Sequence, residues 1–597
     1  MISKIAIGLV AALSTCSQAA VASIPDACPL VQFDRISGAP SGWQYHSSPA
    51  KTTRIPFKIA VRSPHHDYLQ IAHEASNPES ARYGMYLSKA QLLQTMPDVG
   101  PSVFAIQTWL RNQGVTSSFS KAGGLVTFDT SIADAEVLFE AKYAYYSYNG
   151  STPVLRTLSY SIPECMADDV DFVWPTTQFL VSSLPTKKKQ QGMIARQVGP
   201  GNNVDCSSDT CPSYLQKRYN ITYSPPDKAP GSKLALAGFL GDHPDTTDFK
   251  SFLKSYGLRN VSNYQSYNFT VEAVNGGSTD NTASSASVEA MLDLEYSSTF
   301  IAPLDTTYYA TGGRPPTWSQ PGNVTVPDSQ SENEPYLDLI NHLLQLDDPP
   351  QVLSMSYADD EQSVPPSYAE RVCNGFGALA ARGITVIASS GDGGAAGTSY
   401  ENCVGPSGEE RFIPTFPASC PWVTSVGALA PWGGSATYSS GGFSNYFAAP
   451  SWQANSTAPY VRNVLANSST IPASFYNASG RGIPDIALLG SRFPVITNGA
   501  TTLQKGTSAS APFFASLVVL LNDIRLRQGK SAVGFINPLL YSEEGQASIR
   551  DVADDISFIE GCEQGEKVVG GYSASVGWDP ASGLGEPTFG GLRALFV

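Results

Sequence analysis

The chain has 597 residues, of which 42% are hydrophobic and 15% are charged, and its formal net charge is -15. This length predicts two or more folded units, and this much apolar material excludes an intrinsically disordered chain. The negative charge makes nucleic acid and anionic membranes poor electrostatic partners. A low charged fraction with abundant Ser, Thr, Gly and Tyr suits a secreted protein that works in acid.

The amino terminus has the form of a secretory signal. Lys4 precedes the apolar run Ile5–Ser14, and Ala20-Val21-Ala22 supplies a small-residue cleavage site. We therefore expect residues 1–22 to be removed and the protein to be secreted, with an extracellular, vacuolar or lysosomal destination left open. No other stretch approaches the roughly 20 unbroken apolar residues that a membrane span requires.

Cysteines and glycosylation sequons agree with export. Eight cysteines remain after Cys16 leaves with the signal, and an even number in a secreted chain predicts disulfide bonds of undetermined pairing. Eight sequons suit passage through the secretory route. They begin at Asn149, Asn220, Asn260, Asn268, Asn323, Asn455, Asn467 and Asn477.

Residues 23–185 have the pattern of a compact α+β domain, in which helices alternate with strands. The predicted helices and strands of this segment are Lys89–Gln94, Val103–Gln113, Leu125–Asp129, Asp134–Ala141 and Tyr143–Tyr148. Residues 186–203 are polar and contain the breaker Gly199-Pro200-Gly201, which predicts an accessible linker.

Residues 204–597 have the pattern of one large α/β unit. Short apolar strands alternate with longer helical segments, which predicts a doubly wound, mostly parallel sheet with its active site at the carboxyl ends of the strands. The predicted strands are Leu234–Phe239, Val352–Ser356, Ile384–Ser389 and Trp422–Val426. The predicted helices are Ser287–Ser297, Leu337–Leu346, Ala369–Arg382 and Ala511–Arg527.

The strongest local motif is Gly506-Thr507-Ser508, which leads into an apolar helix. A tight glycine turn at a helix N-terminus suits a nucleophilic serine, because unpaired backbone N–H groups there can stabilise an oxyanion. A Ser/Thr cap on a buried helix is the structural alternative. We take Ser508 as the candidate nucleophile.

A histidine base for this serine is not evident. His243 and His342 are the two histidines of the large unit, and neither lies in a His-Gly-Thr context. Glu289 and Asp293 instead stand at i and i+4 of a predicted helix, about 5–6 Å apart at Cβ. An exposed acidic face is the usual meaning of such a pair, but apolar neighbours predict burial here. Two close, buried carboxyls share a proton, which makes Glu289 a base with Asp293 in support.

Asp392 follows the predicted strand that ends at Ser389, in the glycine-rich turn Ser390-Gly391-Asp392-Gly393. An Asx turn is the structural alternative. A protonated aspartate there can donate a hydrogen bond to a developing oxyanion, and that chemistry belongs at low pH.

Taken together, Glu289, Asp293, Asp392 and Ser508 resemble the sedolisin family in order, context and spacing. The resemblance extends to an Asn-Pro-Glu-Ser-Ala-Arg-Tyr-Gly segment at 77–84 and a Phe-Pro-Ala-Ser-Cys-Pro segment at 416–421. It implies a subtilisin-like fold, a Ser-Glu-Asp triad with Asp392 in the oxyanion hole, and a zymogen that cuts its own linker in acid. Peptides and the chain's own pro-domain are then the partners, and we expect a monomer.

The same resemblance implies one structural Ca²⁺ near the carboxyl terminus. Its side-chain ligands would be Asp551 and Asp579, with carbonyl oxygens from Val552, Ser575 and Gly577. Carboxylate and carbonyl oxygens suit this hard cation. Ser575 stands where the family more often has glycine, which makes the backbone angles of this loop less certain.

The expected function is a tripeptidyl-peptidase that releases tripeptides from free amino termini. An acid endopeptidase of the same family is the alternative, followed by an inactive peptide-binding homologue, which would be expected to have lost one of the four site residues. A histidine-dependent serine peptidase lacks its base, and an Asp-Asp acid protease lacks a duplicated Asp-Thr-Gly motif.

Overall fold

A computed structural model of the protein describes residues 28–597 with short gaps. The positions not described are 1–27, 36–38, 40–42, 64–66, 121–123, 149–153, 178–195, 198–203, 229–230, 259–265, 282–285, 314–317, 320–323, 326–333, 399–402, 406–408, 555 and 565–566. The predicted signal peptide and most of the predicted linker therefore lie outside the described residues.

The amino-terminal part is an α+β domain. Its strands are β1 (Leu30–Arg35), β2 (Trp43–Ser47), β3 (Arg54–Val61), β4 (Ser117–Ser120), β5 (Leu125–Ser131), β6 (Ala144–Tyr148), β7 (Val154–Arg156), β8 (Ser159–Pro163) and β9 (Val170–Trp174). Its helices are α1 (Asp67–Ser76), α2 (Lys89–Thr95), α3 (Gly100–Asn112) and α4 (Ile132–Leu138). An antiparallel sheet in the order β4-β5-β3-β9 packs on α3 and α4 around a separate core. Helix α4 begins two residues before the predicted Asp134, because the Ser131 side chain caps it.

The carboxyl-terminal part contains the remaining elements. Its strands are β10 (Arg196–Gln197), β11 (Leu234–Gly238), β12 (Thr270–Val274), β13 (Thr306–Thr311), β14 (Trp318–Ser319), β15 (Val324–Thr325), β16 (Val352–Met355), β17 (Asp359–Asp360), β18 (Thr385–Ser389), β19 (Thr415–Phe416), β20 (Thr424–Leu429), β21 (Gly442–Ala448), β22 (Gly480–Ile483), β23 (Ile486–Leu489), β24 (Ser491–Thr497), β25 (Ala500–Lys505), β26 (Ile549–Arg550), β27 (Cys562–Gln564), β28 (Lys567–Val569) and β29 (Glu586–Pro587). Its helices are α5 (Pro212–Arg218), α6 (Thr246–Tyr256), α7 (Val288–Ile301), α8 (Tyr336–Gln345), α9 (Pro366–Ala381), α10 (Ser451–Asn463), α11 (Thr507–Arg527), α12 (Asn537–Leu540), α13 (Glu543–Ala547) and α14 (Phe589–Phe596).

A seven-stranded sheet in the order β12-β13-β11-β16-β18-β20-β23 forms the centre of this part. Every neighbouring pair in it is parallel, which confirms the predicted doubly wound α/β fold. Apart from the edge strand β12, the strands are buried on both faces, because helices cover both sides. Helices α6, α7 and α11 share the core of one face, and α8 and α9 share that of the other. The strand order reverses at β11, where a crevice for a ligand is expected.

The two parts meet along helix α9. Tyr68, Ala72 and Leu92 of the amino-terminal domain belong to the same apolar cluster as α9. The α9 residue Arg371 donates to the carbonyl of Val61 at 3.1 Å, and it contacts the Asp171 carboxylate at 3.3 Å. The interface is thus an apolar contact with a partly buried ion pair at its edge.

Disulfides and burial complete the core. All eight cysteines that follow the predicted signal peptide are paired, as Cys28–Cys165, Cys206–Cys211, Cys373–Cys420 and Cys403–Cys562.

Helix α11 is long and apolar enough to cross a membrane by composition, but it is a core helix, with 94% of its apolar window buried. Where the sequence predicts linker, Arg196 and Gln197 form β10 and pair with β25.

Candidate active site

The predicted nucleophile stands where β25 turns into α11. Gly506 joins the two elements with φ +154° and ψ +161°, a conformation that side chains with a Cβ rarely adopt. Helix α11 begins at the next residue, so Ser508 lies in its first turn, with 7% of the residue exposed. The sharp turn therefore places the serine at the positive end of a 21-residue helix.

A proline in the helix ties the serine to the end of β16. Pro512 has no N–H, so the carbonyl of Ser508 has no intrahelical donor four residues on. That carbonyl lies 3.4 Å from the hydroxyl of Ser356, while the Ser508 hydroxyl lies 3.4 Å from the Ser356 carbonyl. Both contacts are long, and they leave the Ser508 hydroxyl available to another acceptor.

Glu289 and Asp293 lie in helix α7, which the Ser287 side chain caps by accepting from the Ala290 N–H. Glu289 is 9% exposed and Asp293 is fully buried, because α7 packs against α11 in the core of one sheet face. The Ser356 hydroxyl donates to Asp293 Oδ1 at 2.6 Å. Ser356 therefore bridges the buried acid and the backbone of the nucleophile.

Both carboxyls favour the protonated state. Burial raises the pKa of Glu289 well above its ordinary value, the charges of Asp293 and Asp242 raise it further, and a hydrogen bond with the Ser508 side chain lowers it. Burial also raises the pKa of Asp293, against the hydrogen bond from Ser356. Among the described residues, Glu289 Oε1 and Asp293 Oδ2 have no hydrogen-bond partner. Two full charges there would be uncompensated, so the pair retains a proton.

Asp392 follows β18 and caps the same helix that carries the serine. Its Oδ1 accepts from the Thr507 backbone N–H at 2.7 Å and from the Thr507 hydroxyl at 2.9 Å. Burial raises the pKa of Asp392 to about 6, and the two bonds from Thr507 oppose that rise. The group is therefore neutral in acid and can donate from its other oxygen.

Glycine at position 506 keeps a side chain away from Asp392 Oδ2 and the Ser508 N–H. A Cβ on Gly506 would lie 2.8 Å from Asp392 Oδ2 and 3.6 Å from the Ser508 nitrogen. No residue in the described part of the chain accepts a hydrogen bond from that N–H, one of the unpaired donors at a helix N-terminus. Asp392 Oδ2 and the Ser508 N–H thus lie close to one point beside Gly506, where an oxyanion would need two donors.

The structure brings the four predicted residues into one site, with each in a position that suits its expected role. The serine has a coupled acid pair on one side and a neutral donor on the other. Such an arrangement supports nucleophilic attack with a carboxylate as general base. The roles of Ser508, Glu289, Asp293 and Asp392 stay predictions until they are tested by mutation.

Sequence reasoning missed Asp242, a third carboxyl beside the pair. Tyr357 Oη donates to Asp242 Oδ2 at 2.9 Å, and a bond from the α7 cap residue Ser287 also reaches this carboxyl. Burial raises the pKa of Asp242, and its charge in turn raises the pKa values of Glu289 and Asp293. Its position shortly after the first strand of the parallel sheet is the signal that identifies it.

The histidines have partners other than Ser508 among the described residues, although His243 lies beside Asp242 and its charge lowers the pKa of that carboxyl. His342 pairs with Glu272 at 2.8 Å, and His243 Nδ1 lies 3.3 Å from the Gly241 carbonyl. The Ser508 contacts found within the described ranges include no histidine. This agrees with the expectation of a carboxylate base.

The predicted calcium ligands also converge, away from the serine. Asp551 Oδ2 accepts from the Gly577 N–H at 2.8 Å, and Asp579 Oδ2 accepts from the Ser575 N–H at 2.9 Å. Burial raises the pKa of Asp579 to about 7, with a further contribution from the Asp551 charge. A cation would relieve both effects, so the donor set fits Ca²⁺. Ser575 is absent from the positive-φ residues of the described chain, so serine in place of glycine is unstrained.

Comparisons with known proteins agree with this geometry. The family described as "Pro-kumamolisin, activation domain" matches residues 41–179, and the family described as "Subtilase family" matches residues 322–530. The chain is similar to the tripeptidyl-peptidase sed4 of Aspergillus fumigatus, with 35% identity over 592 residues, 94% of this chain and 96% of that protein. It is also 35% identical over 587 residues to a probable tripeptidyl-peptidase SED4 of Arthroderma benhamiae, with 94% of each chain covered. A solved Pseudomonas sedolisin covers 65% of this chain and 97% of its own, at 18% identity and a TM-score of 0.45.

Proposed function

This chain belongs to the sedolisin family of serine peptidases, and we propose that it removes tripeptides from the free amino termini of peptides in acid. The observation that carries the proposal is the convergence of Ser508, Glu289, Asp293 and Asp392 in one buried site. The relatives of like length that are named tripeptidyl-peptidases support the exopeptidase specificity.

The chemistry follows from the positions of the groups. In the resting enzyme the pair shares one proton, which Asp293 holds, so Glu289 carries the single negative charge. The Ser508 hydroxyl attacks the peptide carbonyl while Glu289 takes its proton, and the negative charge passes to the carbonyl oxygen. Asp392 Oδ2–H and the Ser508 N–H stabilise the tetrahedral oxyanion. Protonated Glu289 then gives its proton to the leaving amine, and water releases the tripeptide from the acyl-enzyme by the reverse path.

The α+β domain fits the role of an intramolecular inhibitor. Asp171 accepts from Arg62 at 3.0 Å and from Arg371 of the catalytic domain at 3.3 Å. This ion pair joins the two domains, and we expect acid to weaken the carboxylate contacts at their interface. The interface then weakens, and the linker, expected at 186–203, is cut. This regulation suits a secreted enzyme that becomes active only in an acid environment.

We also assign one Ca²⁺ to Asp551 and Asp579, with carbonyl oxygens of Val552, Ser575 and Gly577. When bound, this ion would neutralise the two carboxylates and hold the loop that contains Gly577. The test is calorimetric: added Ca²⁺ should raise the melting temperature at neutral pH, because at 100 times the dissociation constant it adds about 2.7 kcal/mol to the free energy of unfolding. Asp579→Asn should abolish that increase. An equal increase in the variant would place the ion elsewhere.

The experiment on activity compares one peptide with a free amino terminus and its N-acetylated form at about pH 4, where the acid pair should be competent. Products are identified by mass spectrometry. We expect the tripeptide from the free form alone. Internal cuts in both forms would support an endopeptidase of the same family.

Ser508→Ala is the control, and it must be freed of its pro-domain without autocatalysis. A recognition sequence for an added protease, placed within residues 186–195, releases both the variant and the wild type in the same way. Activity of Ser508→Ala equal to the wild type would refute the assignment of the nucleophile. Loss of activity with an unchanged melting temperature would support it.

A further inference from the structure

Strand β25 pairs along its outer edge with β10, which comes from the predicted linker, and along that edge with no other strand in the described part of the chain. Its inner edge pairs with β24, and its outer edge carries Arg196 and Gln197, opposite Leu503 and Thr502 in antiparallel register. The strand ends at Lys505, three residues before Ser508. A chain on this outer edge therefore lies beside the segment that positions the nucleophile.

The backbone groups of Leu503 face this outer edge. Leu503 stands opposite Pro494 of β24, and proline has no N–H to donate. The two residues thus form a non-hydrogen-bonded pair, so the N–H and C=O of Leu503 point away from β24. The N–H of Ile496 confirms this alternation, because it donates to the buried Glu295 carboxyl instead of to β25.

The direction of the pairing distinguishes the two sides of a substrate. Strand β25 runs toward Ser508, so an antiparallel partner runs away from it. A peptide whose scissile bond lies at Ser508 can pair in this direction only with residues on the carboxyl side of that bond. At about 3.3 Å per residue, Leu503 is about 10 Å from Gly506, which corresponds to the third or fourth residue of the leaving group.

We propose that the outer edge of β25 binds the leaving-group side of the substrate as an added antiparallel strand, and that Arg196–Gln197 occupies this place in the zymogen. The ligand is an extended peptide of any side-chain sequence, because main-chain hydrogen bonds provide the recognition. The inference rests on the proposed function in taking Ser508 as the nucleophile. It adds a binding strand for the part of the substrate that a tripeptidyl-peptidase releases as the shortened chain.

The first test varies the substrate and leaves the protein intact. Peptides with one common free tripeptide carry zero, two, four or six residues after the scissile bond, the shortest as a fluorogenic amide. We expect kcat/KM to rise between two and four leaving residues, by about fivefold for each hydrogen bond gained. N-methylation at single leaving residues should lower kcat/KM at alternate positions, because only every second N–H faces the neighbouring strand. No gain with length, or an equal effect of N-methylation at every position, would overturn the proposal.

The second test varies the strand. Leu503→Pro removes the outward N–H, whereas Leu503→Ala removes the side chain and keeps that N–H. We expect the ratio of kcat/KM between the six-residue and zero-residue substrates to fall toward one in Leu503→Pro and to persist in Leu503→Ala. Equal ratios in the two variants would contradict a main-chain contact at this position. If mass spectrometry shows cuts at bonds other than the third, the tripeptidyl specificity fails, and the alternation is then counted from the bond that is cut.

Discussion

The neutral donor at Asp392 makes a quantitative prediction about pH. With a pKa of about 6 against an ordinary 3.8, the carboxyl is stabilised in its neutral form by about 3 kcal/mol. About 99% of the carboxyl is protonated at pH 4 and about 9% at pH 7, so the fraction of enzyme with this oxyanion donor falls about tenfold over this range. Asp392→Asn keeps a donor at every pH and an acceptor for the Thr507 N–H. We expect this variant to retain most of its kcat at pH 4 and to lose the part of the alkaline decline that begins near pH 6.

The assay is kcat against pH for the wild type, Asp392→Asn and Asp392→Ala, on activated enzyme with a fluorogenic tripeptide substrate. Asp392→Ala removes the donor and should lose about 10² to 10³ in kcat at pH 4, the cost of one oxyanion-hole donor. Melting temperatures control for the lost helix cap, because both variants change a group that Thr507 contacts. If Asp392→Asn is as inactive as Asp392→Ala at pH 4, the carboxylic acid acts as an acid and not as a donor, and the reasoning is refuted.

Three further changes test other parts of the account. Gly506→Ala places a Cβ 2.8 Å from Asp392 Oδ2 at a φ of +154°. We expect kcat to fall at least about 10²-fold and the free energy of unfolding to fall by about 1–3 kcal/mol. Full activity would rule out the space beside Gly506 as the oxyanion hole. Burial raises the pKa of Glu295 well above its ordinary value. The contribution of Glu295 to stability is therefore present below the pKa of the unfolded chain and is lost as pH rises through the pKa of the folded state. Glu295→Gln should melt higher than the wild type at pH 7 and not at pH 4, and a difference independent of pH would contradict the burial argument. Asp171→Asn removes the charge that pairs with Arg371, so the pro-domain should be released at a higher pH than in the wild type. Gel analysis of activation at a series of pH values measures this shift. An unchanged activation pH would exclude this ion pair as a trigger.

Much of the fold was predictable because the strands of the parallel sheet are continuous apolar runs. Val352–Met355 and Thr385–Ser389 lie inside their predicted ranges, since strands buried on both faces contain little else. Three strands of the same sheet were missed, namely Thr270–Val274, Thr306–Thr311 and the four-residue apolar run Ile486–Leu489. Thr270–Val274 is an edge strand with a partly exposed pattern, and Thr306–Thr311 contains two tyrosines and three threonines, so neither forms an apolar run.

The candidate site residues could be identified from the sequence because each lies in a local motif. Ser508 follows a glycine turn, Asp392 follows a strand, and Glu289 with Asp293 occupies adjacent turns of one helix. Asp242 was missed because its importance depends on contacts with Tyr357 and Ser287, which are distant in sequence. Pairing across β24 and β25 is likewise a property of the folded chain, and no pattern in residues 186–203 indicated that two of them form a strand.

The most direct test of the central claim is whether Ser508 and Glu289 act as one unit. The measurement is kcat/KM at pH 4 for Ser508→Ala, Glu289→Gln and the double variant, all freed of the pro-domain by the same added protease. Residues that act together show losses that do not multiply. The account predicts that each single variant loses nearly all activity and that the double variant is no worse than Ser508→Ala. Losses that multiply, or a Glu289→Gln enzyme that keeps its activity, would contradict a serine activated by this carboxylate.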